Sequence, residues 1–226
     1  MNQASLESDL STWSTLAEVP VKNFLAALAA RTPTPGGGSM TALIAALAAG
    51  QLQMVIAYTR GKPRFAAFEN MLADYEARLV RARAVLCELM EEDRAAYETL
   101  HPFMKLPPAQ RRADPAYSAV VAAAVRIPQA VAATAGSIVQ AAEVLRDKVN
   151  PLLLSDLGVA AATAMAAVAA AELNVLVNLP LLENSAMAQT LAMEAAQLTA
   201  QARTQWEQLA TQLRQELSAA ILLTAK

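Results

Sequence analysis

Residues 64–100 read RFAAFENMLADYEARLVRARAVLCELMEEDRAAYETL, and in them Phe65, Phe68, Leu72, Tyr75, Leu79, Ala82, Leu86 and Leu89 follow alternating steps of three and four. Steps of this kind keep all eight side chains on one stripe of a helix and would scatter them over both faces of a strand. A stripe this long predicts one helix from Arg64 to about Leu100, packed as in a bundle or coiled coil. The next place on the stripe is Asp93. A carboxylate among apolar neighbours is costly unless it is paired, hydrogen-bonded or protonated. Burial also raises its pKa, which suits a general acid or base working near neutrality. The alternative is that the stripe has ended and Asp93 faces solvent beside Glu91 and Glu92.

Working outward, the same logic gives helices on both sides. Upstream, Val21, Phe24, Leu25 and Leu28 form one apolar face behind Pro20, which suits a helix start. Pro33 and Pro35 end that helix, and Gly36, Gly37 and Gly38 predict a sharp turn. Ser39 then reads as the N-cap of a helix whose stripe runs through Leu43, Ile44, Leu47, Met54, Val55 and Tyr58. Downstream, Pro102, Pro107 and Pro108 interrupt the long helix, and Ala109 to Asp114 reads as a polar connection. A helix from Pro115 bends at Pro128 and reaches about Val149, where Asn150 and Pro151 break it. An alanine-rich helix spans about Ser155 to Asn178, and a last one from Ser185 carries Leu191, Leu198, Trp206, Leu209, Leu213 and Leu217. The expectation is an all-α single domain over residues 1–226, a bundle of five to six helices, with 1–17 loosely attached. Broad alanine faces are hard to cover in a monomer, so a helical dimer is expected.

Composition narrows the chemistry. The 226 residues are 55% hydrophobic and 17% charged, which excludes intrinsic disorder. A net charge of −2 argues against nucleic acid as a partner. One cysteine, Cys87, and one histidine, His101, leave no internal disulfide, no common zinc site and no Ser-His-Asp triad. No metal is expected, and chemistry must run on carboxylates, amides, hydroxyls and backbone groups. The N-terminus lacks the basic-then-apolar pattern of a signal peptide, so a cytoplasmic protein is expected. Residues 32–59 and 157–171 are uncharged. Two prolines, the glycines, Gln51 and Gln53 in the first, and Asp156 and Glu172 around the second, favour tight helix packing over a membrane span.

Four groups besides Asp93 carry candidate function. In TPGGGS, Thr34–Ser39, glycines at Gly36, Gly37 and Gly38 let a backbone approach a ligand, and the following helix start offers N–H donors. The same segment reads equally as a tight turn between helices. Arg60 and Lys62 suit an anionic tail, or simply complement a helix C-terminus. Asn174 and Asn178, four apart, share a helix face and bind either each other across helices or a ligand. Asn150, Ser155 and Asp156 complete the set, the last two reading also as an N-cap pair.

In order, these motifs resemble the cyclodeaminase/cyclohydrolase family of folate enzymes. The resemblance rests on TPTPGGGSMTALIAALAA (32–49) with YTRGKPRF (58–65), EEDRAAY (91–97) with LPP (106–108), and SDLGVAA (155–161) with LNVLVNL (173–179). It implies a helical homodimer with a folate site near the subunit interface and no cofactor beyond the tetrahydrofolate substrate. It places the catalytic aspartate at Asp93 and folate binding at Pro35, Gly36–Ser39, Arg60 and Lys62. The implied reaction is hydrolysis of methenyltetrahydrofolate, favoured because no formiminotransferase half is fused in this chain. The alternatives are formimidoyltetrahydrofolate cyclodeamination at the same site and an inactive folate-binding or assembly dimer. Val149 and Leu152 depart from the Gly-Asn-x-Asn that the family commonly carries, which keeps the last alternative open.

Overall fold

The computed structural model describes residues 13–224, and every regular element among them is helical. Seven α-helices follow in order: Val21–Leu28 (α1), Gly37–Ala57 (α2), Glu69–Met104 (α3), Pro108–Ala113 (α4), Tyr117–Leu145 (α5), Leu154–Asn178 (α6) and Ser185–Thr224 (α7). The five to six expected become seven because Ala109–Asp114, read as a connection, is mostly the short helix α4. Pro108 starts it, at a position where a missing N–H costs nothing.

The core lies where α2, α3, α5, α6 and α7 meet, around fully buried Leu52, Leu86, Met90, Ile138, Leu157 and Leu209. Leu72, Leu79, Leu86 and Leu89 are all buried, so the stripe that predicted α3 is its packing face. Ala42, Ala45 and Ala49 of α2 and Ala160, Ala164 and Ala171 of α6 have no exposure at all. With only a methyl group between them, these helices approach closely, which is why the sequence spends so much alanine there. Three segments, Gly37–Ala57, Tyr117–Leu145 and Pro151–Leu181, are long and apolar enough to cross a membrane by length and composition. Each is packed against other helices of the bundle.

Several boundaries differ from expectation for local reasons. Helix α2 begins at Gly37, with Gly36 as N-cap, so Ser39 lies inside its first turn and does not cap it. Likewise α6 begins at Leu154 behind a Leu153 cap, which places Ser155 and Asp156 in the first turn. Pro102 does not end α3, which runs on to Met104. Pro128 sits within α5 and, lacking an N–H, frees the Ala124 carbonyl. Of residues 1–17, 1–12 lie outside the described residues. Leu16 is buried and its N–H donates to Glu91 Oε2 at 3.2 Å.

Candidate active site

Asp93 projects from α3 onto the first turn of α2. The Ser39 hydroxyl lies 3.0 Å from Asp93 Oδ2 and 3.1 Å from the Met90 carbonyl, so it donates to one of them at a time. The Ser39 backbone N–H, one of the unpaired donors of a helix start, also reaches the carboxylate. Burial pushes the Asp93 carboxyl above its usual value, and the two Ser39 donors pull it part of the way back. The stripe thus continues to Asp93, and the solvent-facing alternative does not hold.

Gly38 explains why the glycines are there. A Cβ on Gly38 would stand 1.9 Å from Asp93 Oδ1 and 2.3 Å from its Cγ, so the carboxylate occupies the space of a side chain. Gly37 differs: its Cβ would meet Asn174 Oδ1 at 3.5 Å, an ordinary contact, and at Gly36 the nearest atom is 3.9 Å away. None of the three has a positive φ; among the described residues only Gly61 does. The expected glycine-rich turn is therefore a close approach at one position. Pro35, just before it, follows a cis peptide bond from Thr34.

The carboxylate faces a narrow crevice between four helices, too tight as it stands to hold a water molecule. Gly38 and Thr41 come from α2, Ile127, Pro128 and Val131 from α5, and Ala171 and Asn174 from α6. Asn174 Nδ2 donates to Thr41 Oγ1 (3.2 Å), and Thr41 donates to the Gly37 carbonyl (2.6 Å). That chain orients the Asn174 amide with Oδ1 toward Gly37. Asn178 plays a different part, since its Nδ2 donates to the Ala124 carbonyl at 2.9 Å and to the Asn174 carbonyl at 3.1 Å. The first is the carbonyl that Pro128 leaves without its helical partner, so Asn178 secures the bend in α5 that forms one wall. Ile127 also borders a shallow groove between α3 and α5 that opens to solvent past Ala96 and Val120.

The remaining candidates collect at the opposite end of α2. Arg60 Nε donates to Glu69 Oε1 at 2.8 Å, and its guanidinium also pairs with Glu76. The Gly61 N–H and Arg60 hold the Glu69 carboxyl below its usual value. Thr59 Oγ1 accepts the Asn150 N–H (3.0 Å), while Asn150 Oδ1 accepts from the Leu152 N–H (3.2 Å). Asp156 accepts from Gln51 Nε2 at 2.8 Å. Ser155 and Lys62 are exposed, and Lys62 enters no ion pair among the described residues. Asp156 and Asn174 are about 27 Å apart along α6, at ~1.5 Å per residue. One protomer therefore gathers Gly36–Ser39, Asp93, Asn174 and Asn178 at one end and Arg60, Lys62, Asn150, Ser155 and Asp156 at the other.

Sequence reasoning missed Thr41, Gln51 and the partner of Asn178. Gln51 stood out as a polar residue in an uncharged stretch; Thr41 gave no signal. Among the described residues no three His, Cys, Asp or Glu side chains group as metal ligands. A roomier cleft adjoins the site, between Trp13, Thr34 and the Glu91–Arg94–Glu98 face of α3, without reaching Asp93. Its one cation, Arg94, is already paired with both Glu91 and Glu98.

Comparison with known proteins adds the context. A model described as formiminotransferase-cyclodeaminase matches residues 20–197. Methenyltetrahydrofolate cyclohydrolase of Methylorubrum extorquens is 30% identical over 186 residues, covering 80% of this chain and 89% of that protein. Formimidoyltransferase-cyclodeaminase of Rattus norvegicus is 29% identical over 204 residues, 88% of this chain but only 38% of that longer protein. The crystal structure of formiminotetrahydrofolate cyclodeaminase from Thermotoga maritima superposes with a TM-score of 0.76 at 23% identity, covering 91% of this chain and 98% of that one. That likeness shows the same all-α fold.

Proposed function

The chain belongs to the formiminotransferase-cyclodeaminase family, and on that premise we propose that it hydrolyses 5,10-methenyltetrahydrofolate to 10-formyltetrahydrofolate. The observation that carries this reading is the Asp93 carboxyl: half-buried, raised in pKa and set against Gly38 in a crevice it shares with Asn174. Water adds to the amidinium carbon, and Asp93 takes the proton the attacking oxygen loses. The tetrahedral carbon then forms its carbonyl as the bond to N5 breaks, and Asp93 returns a proton to N5. The second proton of the water leaves to solvent. A carboxyl whose pKa lies above its usual value both accepts and returns a proton more readily near neutrality. The orienting chain Asn174–Thr41–Gly37 gives an acceptor, Asn174 Oδ1, held toward Gly37 on the crevice that Asp93 faces.

Preference for hydrolysis follows from the Methylorubrum relative, which this chain matches over most of both lengths. The second reading, ring closure of formimidoyltetrahydrofolate with loss of ammonia, uses the same site. There N10 attacks the carbon of the protonated formimino group, C=NH2+, and Asp93 carries the proton from N10 to that nitrogen, which leaves as ammonia. An inactive chain is disfavoured because the departures lie far from Asp93 within a protomer: Val149 is buried in the core and Leu152 is exposed at the other end of α2. We further propose a homodimer and no cofactor beyond the folate substrate. The test is turnover of methenyltetrahydrofolate by purified protein, followed by loss of its ultraviolet band, beside ammonia release from the formimidoyl substrate. Turnover of neither would overturn the reading.

A further inference from the structure

We infer that Glu92 and Arg126 read the pyrimidine edge of the pterin, holding the folate ring in the groove between α3 and α5 with its N5 side toward Asp93. This rests on the folate reading above.

The crevice in front of Asp93 is too tight as it stands to hold a water molecule, so the rings of a folate must lie outside it. The cleft at Trp13 does not reach Asp93. The groove between α3 and α5 does adjoin the crevice, because Ile127 borders both, and it has the room that the crevice lacks. Ala95 and Ala96 of α3 and Ala119, Val120 and Ala123 of α5 line it. Side chains this short leave an apolar trough between the two helices. A ring system fits such a trough, and a few polar groups at its rim are enough to fix the orientation.

Two charges stand at the end of the trough nearest Asp93. Glu92 lines it directly, as the one ionisable side chain there. Arg126 precedes Ile127 and lies two helical turns after Ala119, so it shares the groove-facing side of α5. Helices α3 and α5 run antiparallel: Phe103 meets Tyr117 near the turn that joins them, and Asp93 meets Ile127 further along. Glu92 and Arg126, the neighbours of that second pair, therefore flank the groove at one level. Both are exposed, and neither enters an ion pair among the described residues. The contrast is with Glu91 and Glu98 on the other side of α3, which Arg94 answers.

The pyrimidine edge of a folate carries the 2-amino group, N3–H and the 4-oxo oxygen side by side, two donors and then an acceptor. A carboxylate accepts from both donors at once, and a guanidinium donates to the oxygen. In the fused ring N5 stands beside the 4-oxo group. With that oxygen at Arg126, N5 and its one-carbon unit turn toward Ile127 and the crevice. Glu92 and Arg126 thus determine which ring system is bound, while Asp93 moves the proton.

The test is steady-state kinetics on methenyltetrahydrofolate, with 6-methyltetrahydropterin, which has the ring and lacks the tail, as a competitive inhibitor. Glu92→Gln and Arg126→Gln should each raise KM about tenfold, the worth of one hydrogen bond to a charged group, with kcat within about threefold of wild type. Each should weaken inhibition by the tail-less pterin by a similar factor. Glu88→Gln removes the same charge one turn earlier on α3, outside the groove, and should leave both constants unchanged. Ala123→Leu fills the groove and should raise KM at least about tenfold while circular dichroism stays helical. An unchanged KM in either charge variant, an equal effect of Glu88→Gln, or a fall in kcat with KM unchanged overturns the inference. Any of these in an active enzyme leaves the folate reading standing. Wild-type protein that turns over neither folate sinks that reading, and this inference with it.

Discussion

The two ends of α2 are built from similar residues and do different things. At the Gly37 end a half-buried carboxylate sits against a backbone with no Cβ, and one amide oxygen is held toward the same space. At the Tyr58 end most polar groups answer one another: Arg60 with Glu69 and Glu76, Asn150 with Thr59 and Leu152, Asp156 with Gln51. Within one protomer a polar residue that is fully answered holds the fold, and one left partly answered at a crevice is the better candidate to meet a ligand. Residue type alone does not separate the cases; burial and partner count do.

The sharpest way to break this contrast is at the glycines. Gly38→Ala places a Cβ within 1.9 Å of Asp93 Oδ1, so the carboxylate must leave its position. Activity should fall at least about 100-fold, the scale of a lost acid/base group, while circular dichroism stays helical. Gly37→Ala meets only Asn174 Oδ1, at 3.5 Å, and should stay within about threefold of wild type because nothing has to move. Equal effects at both positions would mean that the glycines serve the turn and not the carboxylate.

The second contrast is between asparagines at the two ends. Asn178→Ala leaves the Ala124 carbonyl without the donor that replaces its lost helical bond, and should cost about 1–3 kcal/mol in urea unfolding. Asn150→Ala removes an exposed acceptor that water can replace, and should cost about 0.5–1 kcal/mol. A reversed order would contradict the role given to Pro128.

The smallest expected effect is a pH signature. The Asp93 pKa is raised in the folded state, so its contribution to stability is fully present below its unfolded value and is lost as pH rises through the folded one. Asp93→Asn should therefore match wild type at low pH and gain on it as the pH rises toward neutrality, in thermal melts made at a series of pH values. A gain at low pH that disappears on raising the pH would mean a carboxyl stabilised in its charged form.

Much of this was legible in the sequence. The three-and-four spacing from Phe65 to Leu89 defined α3, and its continuation marked Asp93, because helical periodicity is a one-dimensional pattern. The boundaries at Ser39, Ser155 and Pro102 were misread. Caps depend on where the chain enters the helix, and a helix tolerates one missing N–H when neighbouring turns hold. That Gly38 alone makes the close approach, that Asn178 answers Ala124 and that Gln51 answers Asp156 could not be read. Each pairs residues more than 50 positions apart, and no local pattern encodes that.

The central claim is that Asp93 exchanges the proton of the reaction. The most direct measurement is kcat for methenyltetrahydrofolate hydrolysis by Asp93→Asn beside wild type, with folate binding followed separately. The amide keeps the shape and the hydrogen bonding but cannot accept and return a proton. A fall of roughly 100- to 10,000-fold in kcat with folate still bound is the predicted result. Near-wild-type turnover by the same variant would contradict the account.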